Sequence, residues 1–459
     1  MLAGFAEIEY TPAEGNMPGE FNIYHARGTL TPLMAHAAAL TSGENSVIFV
    51  SMDILFLSTG CMTQLKQQIS QRTGVPVPYI VLAATHCHTG CGIDHAVWGT
   101  PAEPETAARA GDAAVQAAVQ AFENRSPARC GTGLGYEDRF SFCRDWLWDD
   151  GSLITNSGYA NASRMKVPLS TPDHSVNVMR IDDADGRVRC FIVNYANHPD
   201  NHLEEERWGF SADYPGYLRL ALRRRFGEDV CVVFLNGACG DVNDLDHKYG
   251  TDAFYRKTDS PPRAIGEGLA ETVARINETI VTDDSELYIT ARCGQSMTRR
   301  RFAAPEQKEW AARMLAKRDA GEELNEHTQM VAEQYVRDES QLPQQVPLGL
   351  HTVQVGPWAV VGIPGEPFSC IGKRIKANSP FANTLVVELE GGTNGYLSSD
   401  IAQDGGCYEA IYSDIAFTGH GTVDVLVEGN TALLEDMFRE YIEATLGGMK
   451  PDPLTTRER

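Results

Sequence analysis

Residues 79–90 read YIVLAATHCHTG, an apolar run of strand length that ends in two closely spaced histidines. Other apolar runs of this kind, each followed by polar or glycine-rich sequence, lie at 47–50, 190–193, 230–235, 358–362 and 384–389. Helical patterns lie at 104–122, 214–226 and 431–446. Strands that alternate with helices are typical of α/β proteins. The sequence therefore predicts an α/β fold with a large mixed β-sheet core flanked by helices.

The composition is that of an ordinary globular protein with an acidic surface. The 459 residues include 39 Lys and Arg against 62 Asp and Glu, which gives a formal net charge of −23. Hydrophobic residues make up 42% of the chain and charged residues 22%, which excludes a disordered protein. The acid excess disfavours nucleic acid and anionic membrane surfaces as partners. No apolar run reaches the roughly 18 residues of a membrane span, so we expect no stable membrane association.

The chain shows no internal repeat, and its pattern predicts one domain over 1–449. A stretch around 303–340, rich in Glu, Lys, Gln and Ala, predicts a polar helical excursion from this domain, and 450–459 predicts a flexible tail. The eleven cysteines are scattered and mostly lie in apolar runs, which is typical of reduced thiols. The first residues lack the pattern of a signal peptide, so we expect a cytoplasmic protein. A homo-oligomer is compatible with this composition.

The two histidines in 79–90 form the sharpest local motif. Residues two apart on a strand share a face, so His86 and His88 would present nitrogen ligands to a zinc ion together. Two alternatives remain open from the residues alone. The histidines are compatible with a buried structural role, and Cys87 with Cys91 offers a rival thiolate site, although Cys87 would lie on the opposite strand face.

Three further segments place reactive side chains just beyond predicted strands, where ligands bind in α/β sheets. His198 follows the run at 190–193, and Glu366 lies in the rigid turn PGEP at 364–367. Residues 236–243, NGACGDVN, contain glycines that allow close backbone approach to a ligand. The chain lacks a phosphate-binding loop at this point and the Gly-x-Ser-x-Gly elbow of serine hydrolases.

Taken in order, these segments resemble the catalytic domain of the neutral/alkaline non-lysosomal ceramidases. The matching stretches are IEYTP at 8–12, ATHCHTG at 84–90, FCR at 142–144, NHP at 197–199, SADYPGY at 211–217, IPGEP at 363–367, NGY at 394–396 and YEA at 408–410. The resemblance implies the catalytic fold of that family and a Zn²⁺ cofactor. The zinc ligands that it implies are His86, His198, Glu366 and Tyr396.

The resemblance also implies roles for residues around the metal. His88 is the candidate for proton transfer, and Arg144 and Tyr408 would hold the substrate or a developing oxyanion. Asp241 would orient a zinc ligand or the attacking water. At position 243 the family carries an active-site serine, but this chain has Asn243, which cannot act as an alkoxide nucleophile and would instead hydrogen-bond the substrate.

Two further departures concern the ends of the chain, which carries no secretion signal and no immunoglobulin-like domain after the catalytic one. We therefore predict a zinc-dependent hydrolase in which metal-activated water attacks an amide or related bond in a small polar substrate rather than ceramide. Two alternatives are a carbohydrate-active hydrolase, with Trp146, Trp148 and Trp208 stacking on sugar rings, and a non-catalytic zinc-binding protein.

Overall fold

The computed structural model describes residues 1–18, 24–96, 101–250 and 260–446. The predicted tail at 450–459 lies outside these residues, and the single domain over 1–449 stays a prediction. None of the described helices is long and apolar enough to cross a membrane.

Most strands belong to two sheets. The strands are β1 Leu2–Glu9, β2 Gly15–Met17, β3 Tyr24–Ala26, β4 Met34–Ser42, β5 Asn45–Met52, β6 Ile80–Ala84, β7 Ser126–Tyr136, β8 Phe142–Cys143, β9 Asp145–Trp148, β10 Leu153–Thr155, β11 Met165–Pro168, β12 Ser175–Asp183, β13 Val188–Tyr195, β14 Cys231–Asn236, β15 Val242–Asn243, β16 Ile289–Arg299, β17 Gln345–Val355, β18 Trp358–Ile363, β19 Glu366–Pro367, β20 Asn383–Glu388 and β21 Tyr396–Leu397.

The large sheet has eight strands in the order β14-β13-β12-β7-β1-β4-β5-β6, and the small one has four in the order β16-β17-β18-β20. Both are mixed, since β5 with β6, β13 with β14 and β18 with β20 run parallel. The helices are α1 Thr59–Thr73, α2 Pro104–Glu123, α3 Asp213–Phe226, α4 Pro261–Asn277, α5 Pro305–Asp319, α6 Glu326–Tyr335, α7 Ser369–Asn378, α8 Asp400–Gly405 and α9 Thr422–Leu446.

The two sheets and the helices pack as four layers, helix on sheet on sheet on helix. Alternate residues of a strand point to opposite faces, and both faces of these strands are apolar. Val50 in β5 packs against α1 and α2, whereas its neighbour Phe49 packs against the small sheet. In β18, Val360 faces the large sheet and Val361 faces α7 and α9. Helices α3 and α4 cover the other half of the large sheet.

The predicted α/β architecture is confirmed. The three predicted helices lie within observed helices, and the six predicted strands overlap observed strands, with Tyr79, Val230 and Leu389 just outside them. The polar excursion around 303–340 contains two helices, α5 and α6. The sequence did not predict strands such as β7, in which Gly131, Gly133 and Gly135 interrupt the apolar pattern. These glycines are required by packing, because a Cβ on Gly133 would lie 2.6 Å from Cγ2 of Ile276 in α4.

Candidate metal centre

The motif around His86 lies in a turn, which corrects the geometry predicted from the sequence. Strand β6 ends at Ala84, and His86 has a φ of +69°, a left-handed conformation that is uncommon outside glycine. The two histidines converge because the chain turns there, and not because they share a strand face. Their Nε2 atoms lie 3.4 Å apart.

The rival thiolate site at Cys87 and Cys91 is disfavoured by the structure. Both thiols are fully buried in the apolar core beneath α1 and α2. Burial raises the pKa of Cys91 to about 12, so it stays a neutral thiol near pH 7. Neither cysteine belongs to the histidine cluster found among the described residues.

His198 reaches the same point from the large sheet, three residues beyond the end of β13. Its Nε2 lies 3.1 Å from Nε2 of His86. The loop that carries it is held in place, because the backbone N–H of His88 donates to the carbonyl of Pro199 over 3.1 Å. The N–H of His198 donates to Oδ1 of Asn197 over 3.0 Å.

The second nitrogen of each ring determines what the converging nitrogens can do. Nδ1 of His86 lies 3.1 Å from the carbonyl oxygen of Leu55, and Nδ1 of His198 lies 3.4 Å from that of Cys239. A carbonyl oxygen only accepts hydrogen bonds, so each Nδ1 carries the proton of the neutral ring and each Nε2 presents its lone pair. Two facing lone pairs repel each other unless a proton or a metal ion lies between them.

Glu366 adds a carboxylate to this cluster from the side of the small sheet. It lies in β19, which pairs with β21 so that Glu366 is opposite Tyr396. Oε2 of Glu366 is buried and lies 3.3 Å from Nε2 of His86, which can donate to it only when the ring is protonated. A buried carboxylate oxygen without a donor is costly, and such groups normally pair with a cation.

The pKa values of the cluster reflect this need for positive charge. Burial disfavours the protonated ring of His86, but Glu366 outweighs it and raises the pKa to about 9. Burial, together with the charges of His86 and Arg144, holds the pKa of His198 well below its usual range. His86, His88 and His198 offer ligand atoms within 4.8 Å of one another. Three imidazoles and a carboxylate fit Zn²⁺.

Arg144 lies beside the metal cluster and is itself buried. Its Nη2 donates to the carbonyl of Gly240 over 2.7 Å and to the hydroxyl of Tyr396 over 3.3 Å. Its Nε forms an ion pair with Glu409, which follows Tyr408 in the short turn Tyr408–Ala410. The rings of Tyr396 and Tyr408 lie 6.2 Å apart and meet edge to face. The structure therefore brings Arg144 and both predicted tyrosines together next to the histidines.

No protein-family model matches the sequence, and no curated protein matches it either. Among solved structures, the chain is similar to the neutral ceramidase from Pseudomonas aeruginosa, with a TM-score of 0.70 and 16% identity over 95% of this chain and 74% of that one. The chain has the neutral ceramidase fold. It is also similar to a ceramidase complexed with C2, with a TM-score of 0.68 and 14% identity over 96% of this chain and 75% of that one.

Within the neutral ceramidase fold, Asp241 contacts the segments that carry the candidate metal ligands, and not the ligands themselves. Its Oδ1 accepts from the backbone N–H and the hydroxyl of Ser369 over 2.7 Å each, and its Oδ2 accepts from Ser170. Next to it, the N–H of Gly240 donates to the carbonyl of Pro367 over 3.0 Å. Asp241 thus fixes the start of α7 and the loop that carries Glu366, and its hydrogen bonds reach no candidate ligand directly.

The amide of Asn243, which the resemblance matches to a serine, is engaged with the loops around it. Nδ2 donates to Oδ1 of Asn156 over 2.6 Å, and Oδ1 accepts from the N–H of Leu245 over 3.1 Å. Its contact with a substrate stays a prediction.

Sequence reasoning missed three acids around the cluster in this neutral ceramidase fold: the buried Glu388 and Glu409 and the half-buried Asp200. Glu388 ends β20, where its carboxylate accepts from Nδ2 of Asn236 over 2.9 Å, and burial raises its pKa to about 7. A carboxylate inside the apolar run at 385–389 was the signal that would have found Glu388. Burial also raises the pKa of Asp200, although His88 opposes the rise.

Proposed function

We propose that this protein is a zinc-dependent hydrolase that cleaves an amide or related C–N bond in a small polar substrate. The convergence of three imidazole nitrogens near one buried carboxylate carries the proposal. A structural zinc site is usually closed by four Cys or His ligands, whereas a ligand set that includes a carboxylate favours catalysis. Two solved structures with this fold are ceramidases by name, which supports an amide-hydrolysing activity.

In this proposal His86, His198, Glu366 and Tyr396 hold the ion, as the sequence predicts. When bound, Zn²⁺ supplies Lewis acidity, which polarises a carbonyl group and lowers the pKa of water. His88 transfers the proton, since its Nε2 lies 3.4 Å from Nε2 of His86. A protonated His88 can deliver its proton to the departing amine.

Arg144 is the candidate for binding negative charge that develops on the substrate oxygen. The ion pair with Glu409 and the hydrogen bond to Gly240 hold its guanidinium before any substrate arrives. Its central carbon lies 5.6 Å from the centre of the Tyr396 ring, on the side where Tyr408 also lies. A fixed charge in a buried site stabilises a developing oxyanion without reorganisation.

Asn243 and the net charge support a small polar substrate over ceramide. Beyond its hydrogen bonds to Asn156 and Leu245, the amide of Asn243 has a second N–H and a second lone pair, with which it can bind a polar group of a substrate. The formal charge of −23 disfavours approach to an anionic lipid surface, from which a two-tailed lipid must be extracted. All eleven cysteines are free thiols, which supports a cytoplasmic location.

The test is a substrate panel measured with protein of known zinc content. We expect kcat/KM to be highest for a small polar amide, lactam or amino-sugar derivative and to fall for short and long N-acylsphingosines. Long-chain ceramide as the best substrate would contradict the substrate class. Zinc-loaded protein without turnover on the whole panel would favour the non-catalytic alternative.

The residue at 243 gives a second test, because no serine stands where a covalent acyl-enzyme would form. Asn243→Ala should lower kcat much less than His86→Ala, and pre-steady-state kinetics should show no burst. A burst, or covalent trapping at another hydroxyl, would overturn a direct attack by water.

The carbohydrate-active alternative receives little support. Trp146 is buried and its indole N–H donates to the carbonyl of Cys143 over 3.0 Å, so its ring is not a free platform for a sugar. Trp208 is exposed, but it packs against Gly28, where an added Cβ would lie 2.9 Å from the indole.

A further inference from the structure

The inner face of the small sheet is only partly covered by the large sheet. Along β17, Val355 and Val353 are buried between the two sheets, and the same face continues through His351 and Gly349 to Pro347. From His351 onward this face meets helix α1 across a cavity of about 430 Å³. Cavities of this size are typical of small-molecule sites.

Apolar groups line most of the cavity, and three charged side chains meet at one side of it. Lys66 of α1 forms an ion pair with Oε1 of Glu390, whose Oε2 lies 3.1 Å from Nδ1 of His351. All three residues are more than nine-tenths buried. Val77 and Pro364 are among the apolar residues of the lining.

The carboxylate of Glu390 is the common partner of the other two side chains. Burial disfavours the ionised form of Glu390, but Lys66 and His351 outweigh it and lower the pKa to about 2. Nε2 of His351 lies 2.7 Å from the carbonyl oxygen of Pro78. Both ring nitrogens of His351 therefore face oxygen atoms, and Glu390 lies between this ring and the ammonium group of Lys66.

Lys66 also has hydrogen-bonding capacity left. An ammonium group has three N–H donors, and Glu390 is its one acceptor among the residues that the structure describes. Its Nζ lies 3.8 Å from the position that a Cβ would occupy on Gly391, another residue of the lining. The unused donors therefore lie at the wall of the cavity.

We propose that this cavity binds a small organic carboxylate with an apolar body. The carboxylate would accept from the unused donors of Lys66, and the apolar body would pack against Val77, Pro347 and Pro364. The lining contains none of the candidate zinc ligands. The proposal is independent of the reaction at the metal centre.

The first test compares hexanoate and benzoate with hexanamide and benzamide, titrated by calorimetry into the zinc-loaded protein and into the His198→Ala variant. We expect one site for which each carboxylate binds at least about tenfold more tightly than its amide, because a hydrogen bond to a charged group is lost with the amide. The same affinity in His198→Ala would exclude carboxylate binding at zinc.

The second test fills the cavity without changing its charges. A Cβ on Gly349 meets only Cγ of Pro364, at 3.7 Å, so Gly349→Leu fits in the strand and projects into the cavity. We expect it to weaken hexanoate binding at least about tenfold. The matched control is Gln68→Leu on the exposed side of α1, which should bind as the parent protein does.

The thiol of Cys293 locates the ligand, since it is exposed and lines the cavity. Hexanoate should slow its alkylation by iodoacetamide, read by peptide mass spectrometry, with Cys370 as the internal reference outside the cavity. Equal binding of acid and amide, unchanged binding in Gly349→Leu, unprotected Cys293, or no binding at about 10 mM hexanoate would each overturn the proposal.

Discussion

Two buried clusters in this protein combine histidine with acidic or thiol side chains, yet they treat positive charge differently. The candidate metal centre joins His86, His88 and His198 to Glu366. A second cluster of Glu7, His36 and Cys231 also brings its ligand atoms within 4.8 Å of one another. Residue type and distance alone would make both of them metal sites.

The second cluster already contains its cations. Arg219 forms a two-point ion pair with Asp53, at 3.0 and 2.6 Å, and Arg223 pairs with Glu7. Nδ1 of His36 lies 2.7 Å from Oε1 of Glu7. At the metal centre the nearest arginine, Arg144, is matched by its own carboxylate. The comparison teaches that a metal site is marked by an unmet demand for positive charge, and not by ligand types alone.

Removal of ligands should separate the two clusters most clearly. We expect about one Zn²⁺ per chain in the parent protein and almost none in a His198→Ala/Glu366→Ala double variant, since both a nitrogen and the carboxylate are lost. Elemental analysis of protein prepared without added metal measures this. The control variant His36→Ala should contain as much zinc as the parent protein. A parent protein without transition metal, or equal zinc in the double variant, would contradict the assignment.

Breaking the second cluster should instead cost stability. Arg219→Met leaves Asp53 buried without its main partner, so the free energy of unfolding should fall by about 3–5 kcal/mol. Denaturant unfolding provides the measurement, and the zinc content of the folded fraction should not change. Arg439→Met removes an exposed ion pair with Asp436 and should cost less than about 1 kcal/mol. An equal effect of the two substitutions would refute the ion-pair account.

The protonated state of His36 predicts a pH dependence of stability. Burial and Arg219 oppose protonation, but Asp53, Cys231 and Glu7 outweigh them and raise the pKa of His36 to about 9. The unfolded value of this pKa is about 6.5, so protonated His36 contributes its full stabilisation below pH 6.5. This contribution is lost as the pH rises through 9. The loss should be at most about 3 kcal/mol and absent in His36→Gln. Parallel pH curves of the two proteins would contradict it.

At the candidate metal centre, the affinity for zinc should depend on pH. This is the smallest of the four effects predicted here. Without metal, Glu366 outweighs burial and raises the pKa of His86 to about 9, so zinc must displace a proton from this ring. Zinc affinity, measured by chelator competition, should rise up to about tenfold for each pH unit below 9. A zinc affinity that does not change between about pH 6 and pH 8 would show that zinc displaces no proton from His86.

The sequence predicted the layers of the fold and the histidines of the site from short apolar runs and their polar ends. This was possible because a buried strand produces a local pattern of apolar residues. The turn at His86 left none, since a left-handed backbone at a non-glycine residue depends on contacts with distant segments. The sequence could not predict the roles of Asp200 and Glu409 or the cations around His36, because these depend on contacts between residues far apart in the chain.

Glu366 reaches the histidines from another sheet, which has a consequence for biosynthesis. His86 and His198 are translated long before Glu366, and the sheets that carry them are built from distant, partly parallel strand pairs, a topology that folds slowly. Tight metal uptake must therefore wait until most of the chain has left the ribosome and both sheets have docked. Retention of zinc would then report on complete folding, and chains stalled before residue 366 would be recognisable as metal-poor.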